Sequence, residues 1–109
     1  MDNLTEDTFQ AEYCAERLKA LSDPLRLKIV GLLRHGELTV TDISQFLETE
    51  IVTVSHHLKI LKHSQFVTPR RQGRFIYYSL NKNLIQESIE SLNLGCCKIQ
   101  IGEEDERLV

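Results

Sequence analysis

Tryptophan is absent from this 109-residue chain, and the other aromatic side chains are few, three Tyr and four Phe. A chain of this length folds as one domain with a modest core, so a helical face left uncovered becomes a natural dimer seam. Long apolar runs are missing as well: stretches such as Ile29-Val30-Gly31-Leu32-Leu33 are far too short to span a bilayer. Met1 to Asp7 is acidic with no apolar run behind it and does not read as a signal peptide. The expected location is therefore the cytoplasm, where thiols are kept reduced. Cysteine is scarce and odd in number, three in all, which speaks against a disulfide framework. No Cys-x-x-Cys pair, no histidine beside a cysteine to act as its base and no Gly-rich phosphate loop is present. Those absences argue against an enzyme and against a small thiol or metal carrier.

Acid is missing from one long segment. Between Ile51 and Gln86 there is no Asp or Glu, while Lys59, Lys62, Arg70, Arg71, Arg74 and Lys82 are all basic. Residues 1–50 carry ten acids against five bases, and Glu103, Glu104, Asp105 and Glu106 follow near the end. The net charge of -3 hides this division. A basic island in an acidic chain is the footprint of a surface that binds a polyanion.

Apolar periodicity divides the chain into closely spaced elements. A first helix is predicted from about Thr8 to Leu21, with Asp7 as its cap and Ala11, Cys14, Leu18 and Leu21 on one face. Ser22-Asp23-Pro24 opens a second helix, apolar around much of its circumference, that stops at Gly36. Thr39 and Asp42 form a capping box for a short helix, Val40 to Leu47. After Glu48-Thr49-Glu50 a fourth helix runs from about Ile51 to His63. The period then changes to two. Val67 to Leu80 reads as a hairpin turning at Gln72-Gly73, with Arg70, Arg71 and Arg74 at its tip. Asn81 caps a predicted fifth helix, Lys82 to about Leu94, bearing Leu84, Ile85, Ile89 and Leu92. The fold class is mainly α with a small β-hairpin: a winged helix-turn-helix in the order α-α-α-α-β-β-α. The folded domain is expected over residues 1–101, with residues 102–109 a disordered acidic tail.

The fourth helix has two faces. Ile51, Val54, Leu58 and Leu61 fall on the core side. Ser55, His56, Lys59, Lys62 and His63 fall opposite, and Thr53 stands near the helix start. Recognition helices place their N-terminal side chains on base edges, which makes Thr53, Ser55 and His56 the candidates for base reading. Lys59 and Lys62 suit phosphates, which set register without reading sequence. The hairpin arginines suit a minor groove or backbone contact beside the helix. His57, on the border of the core face, reads as a packing histidine.

Three strings together resemble the ArsR/SmtB family of metal-sensing repressors. They are Leu21-Ser22-Asp23-Pro24-Leu25-Arg26-Leu27-Lys28-Ile29-Val30, then Thr53-Val54-Ser55-His56-His57-Leu58-Lys59-Ile60-Leu61, then Arg71-Gln72-Gly73-Arg74-Phe75-Ile76-Tyr77-Tyr78-Ser79-Leu80. The likeness covers roughly residues 10–95. It implies a homodimer joined through its first and last helices, bound to an inverted-repeat operator in duplex DNA and released when an inducer binds. One departure is Gln65, where the family usually has Gly in the turn leaving the recognition helix. In this family the arsenic sensors often carry Cys-Val-Cys before the recognition helix. Thr39-Val40-Thr41 stands there instead. The family's zinc ligands on the last helix are also missing, since residues 82–94 contain no His or Asp.

Sensing is thereby left to Cys14, Cys96 and Cys97. The resemblance brings their elements together at the dimer seam, within one subunit or across two. Three thiolates with no imidazole suit a soft trigonal ion such as arsenite or antimonite, or another soft metal ion, whereas zinc prefers four ligands. DNA binding itself is expected to need no cofactor. Oxidation or a persulfide bridge would use the same thiols.

Overall fold

The computed structural model describes residues 2–85 and 91–100, with side chains from Gln10 onward. Helices α1 (Asp2–Leu21) and α2 (Pro24–Leu33) come first. A two-residue strand β1 (Leu38–Thr39) leads into α3 (Val40–Leu47) and α4 (Ile51–His63). The hairpin β2 (Val67–Gln72) and β3 (Phe75–Leu80) follows. A 3₁₀ turn at Lys82–Ile85 and a second hairpin, β4 (Ser91–Asn93) with β5 (Lys98–Gln100), complete the described chain.

Each central helix begins and ends for a local reason. At α2 the Asp23 carboxylate accepts hydrogen bonds from the Leu25 N–H at 2.8 Å and the Arg26 N–H at 3.1 Å, and Pro24 occupies the first turn. The predicted capping box opens α3: the Thr39 hydroxyl accepts from the Asp42 N–H, and the Asp42 carboxylate accepts from the Thr39 N–H, both at 3.1 Å. Helix α4 closes on a Schellman motif. The Phe66 N–H reaches back to the Leu61 carbonyl at 2.8 Å and the Gln65 N–H to the Lys62 carbonyl at 3.0 Å. That closure requires a left-handed residue, and Gln65 supplies it at φ 65°. Arg17 of α1 braces the same corner, donating to the Ser64 carbonyl at 3.2 Å with its guanidinium 4.7 Å from the centre of the Phe66 ring. A cation there also meets the negative end of the α4 dipole.

The core lies where α2, α3 and α4 meet the first hairpin. Ile29, Val30, Ile43, Val54, Leu58, Leu61 and Phe66 are wholly removed from solvent. Antiparallel strands in the order β1-β3-β2 cover one end of this core. Gln72 faces Phe75, so the wing turns through Gly73 and Arg74, one residue later than predicted, with Gly73 at φ 63°.

Three further expectations are corrected, and one strand is added. Asp7 lies within α1, which starts several residues before it, and so is no cap. Ile51 is half exposed rather than core. Strand β1 was not foreseen, because two residues carry no readable period. The predicted fifth helix is replaced, over the described residues, by one 3₁₀ turn and a hairpin. Asn81 does cap that turn through the Asn83 N–H, at 3.1 Å. Beyond it, however, Leu92 and Leu94 are buried at a spacing of two, and Leu92 pairs with Ile99. Strand alternation therefore wins where helical spacing was read. Ile89 and the acidic tail lie outside the described residues.

Two outcomes follow. Gln65→Gly relieves the left-handed strain and should stabilise the protein by about 1 kcal/mol in a denaturant melt. Hydrogen bonds from the Arg26 and Leu25 N–H groups hold the Asp23 carboxyl below its ordinary value of 3.8. The stability it confers is therefore present above that ordinary value and is lost as pH falls through the lowered one. In thermal melts across the acid range, Asp23→Asn should keep the cap but lose this share of the acid sensitivity.

Candidate nucleic-acid interface and thiol cluster

Burial of Val54, Leu58 and Leu61 turns the opposite face of α4 outward. Thr53, Ser55, His56, Lys59 and Lys62 are all exposed there. Val52, Ser55, His56, Lys59 and Lys62 line a hollow of about 410 Å³ whose far wall is Tyr78 of β3. The helix and the wing thus present one continuous surface. Of the side chains lining that hollow, the sequence reading had passed over Val52, although it stands three residues before Ser55 on the same face.

His57 is oriented inward and held. Its Nδ1 lies 3.0 Å from the Arg26 guanidinium and 4.0 Å from the Asp23 carboxylate. A guanidinium can only donate, so Nδ1 accepts and the ring proton belongs on Nε2. Arg26 also donates from Nε to the Ala20 carbonyl at 2.6 Å. This packing histidine therefore ties α4 to the start of α2.

The wing arginines separate. Arg74 lies in the turn, Arg71 pairs with Ile76 near it, and both are exposed. Arg70 is not at the tip: it faces Tyr77, further down the hairpin. Its guanidinium grips the Glu37 carboxylate at 2.6 and 3.2 Å, donates to the Gln72 side chain at 2.7 Å and lies 4.9 Å from the Tyr77 ring centre. Beside it the Glu37 carboxyl is held below the ordinary carboxylate range. Arg70 thus pins the wing to the segment before β1, a contact across 33 residues that no local pattern announces.

Cys14 on α1 meets Cys96 and Cys97 in the β4–β5 turn, within one chain. Cys14 and Cys96 form a disulfide, contrary to the expectation drawn from an odd cysteine count. The Cys97 sulfur sits 3.2 Å from that of Cys14 and 3.8 Å from that of Cys96. All three residues are half-buried, and their sulfurs lie within 4.8 Å of one another. The turn is shaped by Gly95 at φ 91°, whose N–H donates to the Asn93 side chain at 2.9 Å. A hairpin, rather than a helix end, is what folds the cysteine pair back onto α1.

Residues 23–68 match the bacterial regulatory proteins of the arsR family. The chain is 46% identical over 71 residues to the transcriptional repressor SdpR of Bacillus subtilis, covering 65% of this chain and 79% of that one. It belongs to the arsR family. Another family member, the arsenical resistance operon repressor of Staphylococcus aureus, is 39% identical over 77 residues, 71% of this chain and 74% of that one. In three dimensions the chain resembles the homodimeric winged helix-turn-helix DNA-binding domain of a Mycobacterium bovis protein, a possible ArsR-family regulator. There the TM-score is 0.62 with 34% identity, over 65% of this chain and 66% of that one. Within the family fold, α3 and α4 are the helix-turn-helix and β2–β3 is the wing. No helix among the described residues is long and apolar enough to cross a membrane.

The disulfide leaves Cys97 as the free cysteine. Unfolded under oxidising conditions, the protein should take up one alkylating group per chain by intact mass, and three after reduction.

Proposed function

We propose that this protein is a homodimeric cytoplasmic repressor that binds an inverted-repeat operator and is released by chemistry at Cys14, Cys96 and Cys97. The observation that carries the DNA-binding half is the outward face of α4, where Ser55, His56, Lys59 and Lys62 stand beside the wing without an acidic side chain among them. Thr53, Ser55 and His56 read bases, while Lys59, Lys62, Arg71 and Arg74 meet phosphates or the minor groove. Arg70 serves the interface by holding the wing in place through Glu37. Tyr13 and Leu18, 48% and 42% exposed on α1, supply apolar surface for the partner subunit.

The inducer in this reading is trivalent arsenic or antimony. Three sulfurs gathered within 4.8 Å, with no imidazole among them, suit one soft trigonal ion once the disulfide is reduced. A route to the DNA face exists through packed atoms. Cys14 and Arg17 lie one turn apart on α1, and Arg17 holds the last turn of α4 through Ser64 and Phe66. Coupling of 1–3 kcal/mol along it would lower operator affinity roughly 5- to 150-fold.

The Cys14–Cys96 disulfide favours a second reading, in which the signal is an oxidant. Two thiols then lose two protons and two electrons to a peroxide, which is reduced to water and an alcohol or to two waters. Persulfide bridging would act on the same sulfurs.

Fluorescence anisotropy on the protein's own promoter tests both halves. Reduced protein should bind tightly at low salt, with affinity falling steeply as salt rises. Lys59→Ala and Lys62→Ala should each reduce the salt slope by about one. Arsenite should release wild type and leave a Cys96→Ser, Cys97→Ser double variant bound. Release by peroxide alone would replace the metalloid with the redox reading, and no binding at low salt would overturn the repressor reading.

A further inference from the structure

Val52 stands 78% exposed in the first turn of α4, the most exposed large apolar side chain among the described residues. Its neighbours on the outer face, Ser55 and His56, lie three and four residues on, and all three share the hollow beside Tyr78. Valine has no helix-forming reason to be there, because its branched Cβ makes it a poorer helix former than Ala, Leu or Lys. It makes no contribution to the core either, since the core side chains of this helix are Val54, Leu58 and Leu61. The side chain therefore offers the outside two methyl groups held in one preferred rotamer.

We propose that Val52 is a specificity-determining residue that packs on the C5-methyl group of a thymine in the operator half-site. The inference rests on the DNA-binding reading above and goes beyond it in naming the base. The first turn of a recognition helix is where side chains reach base edges. Among the four bases, only thymine displays a methyl group in the major groove. An isopropyl group can neither donate nor accept a hydrogen bond, so it gains there only by covering that methyl. Any other base edge would lose water to Val52 without compensation. Ser55 and His56, one turn further along, supply hydrogen-bonding groups for adjacent base pairs.

The test exchanges single thymines for deoxyuracil, which removes only the methyl group. The operator is first footprinted with the reduced, intact dimer, and binding to the unsubstituted duplex is measured. Each thymine of the half-site is then exchanged in turn, symmetrically in both halves. Wild type should lose about fourfold per half-site at one position, about sixteenfold for the symmetric duplex, which is the effect of burying one methyl-sized group. Val52→Ala should bind the parent operator more weakly and be indifferent to the exchange at that position, with a thermal melt no lower than that of wild type. Ser55→Ala should keep the exchange penalty. If no thymine shows the penalty, or if the penalty persists undiminished in Val52→Ala, the inference is overturned while DNA binding stands. Failure of wild type to bind the unsubstituted duplex would instead remove the reading beneath it.

Discussion

Val54, Leu58 and Leu61 leave water completely on one stripe of α4, against Ile29 and Val30 of α2, Ile43 of α3 and Phe66. Everything else in the structure depends on that burial. It is the main source of stability in a small domain, where apolar area removed from water is the dominant favourable contribution. It also fixes the rotation of α4 about its own axis. Once the inner stripe is seated, Val52, Ser55, His56, Lys59 and Lys62 have no alternative but to face outward beside the wing. Stability and the candidate binding surface are thus two faces of the same helix.

The ends of α4 are held as firmly as its middle. At its C-terminus the Schellman closure around Gln65 bends the chain so that Phe66 enters the core and Val67 begins the wing. On the inner side His57 accepts from Arg26, which in turn bonds the Ala20 carbonyl at the end of α1. Arg17 holds the last turn from a second direction. Helix α1 therefore reaches α4 through two separate sets of polar contacts, and Cys14 of the thiol cluster sits on that same helix. Motion of α1 relative to the C-terminal hairpin would be felt at the proposed DNA face through side chains in direct contact. This is a physical basis for coupling between the thiols and the helix-turn-helix.

Much of this was legible without coordinates because its causes are local. Asp23-Pro24 starts α2 by side-chain capping and a preset φ, and Thr39 with Asp42 starts α3, each within four residues. The division of α4 into apolar and polar faces follows from 3.6-residue periodicity. Gln65 stands out only through the family resemblance, which puts Gly at that position, and φ there is 65°. The errors have a common origin. Leu84, Ile85 and Leu92 are spaced acceptably for a helix, yet pairing of Leu92 with Ile99 decides for a strand, and that partner is seven residues away. Arg70 reads as one more wing cation along the chain, and only its pairing with Glu37, 33 residues away, sets it apart.

The amino-acid order by itself determined α2, α3 and α4, the wing and the acid-free segment, since caps, periodicity and charge need only near neighbours. Tertiary structure alone decided which sulfurs meet, which arginine is occupied, and that the last described segment is a hairpin. The first two turn on contacts between residues 33 to 83 positions apart, and the third on the pairing of Leu92 with Ile99. Such contacts form only after the loops between them have closed around a core, and loop closure leaves no periodic mark in the chain.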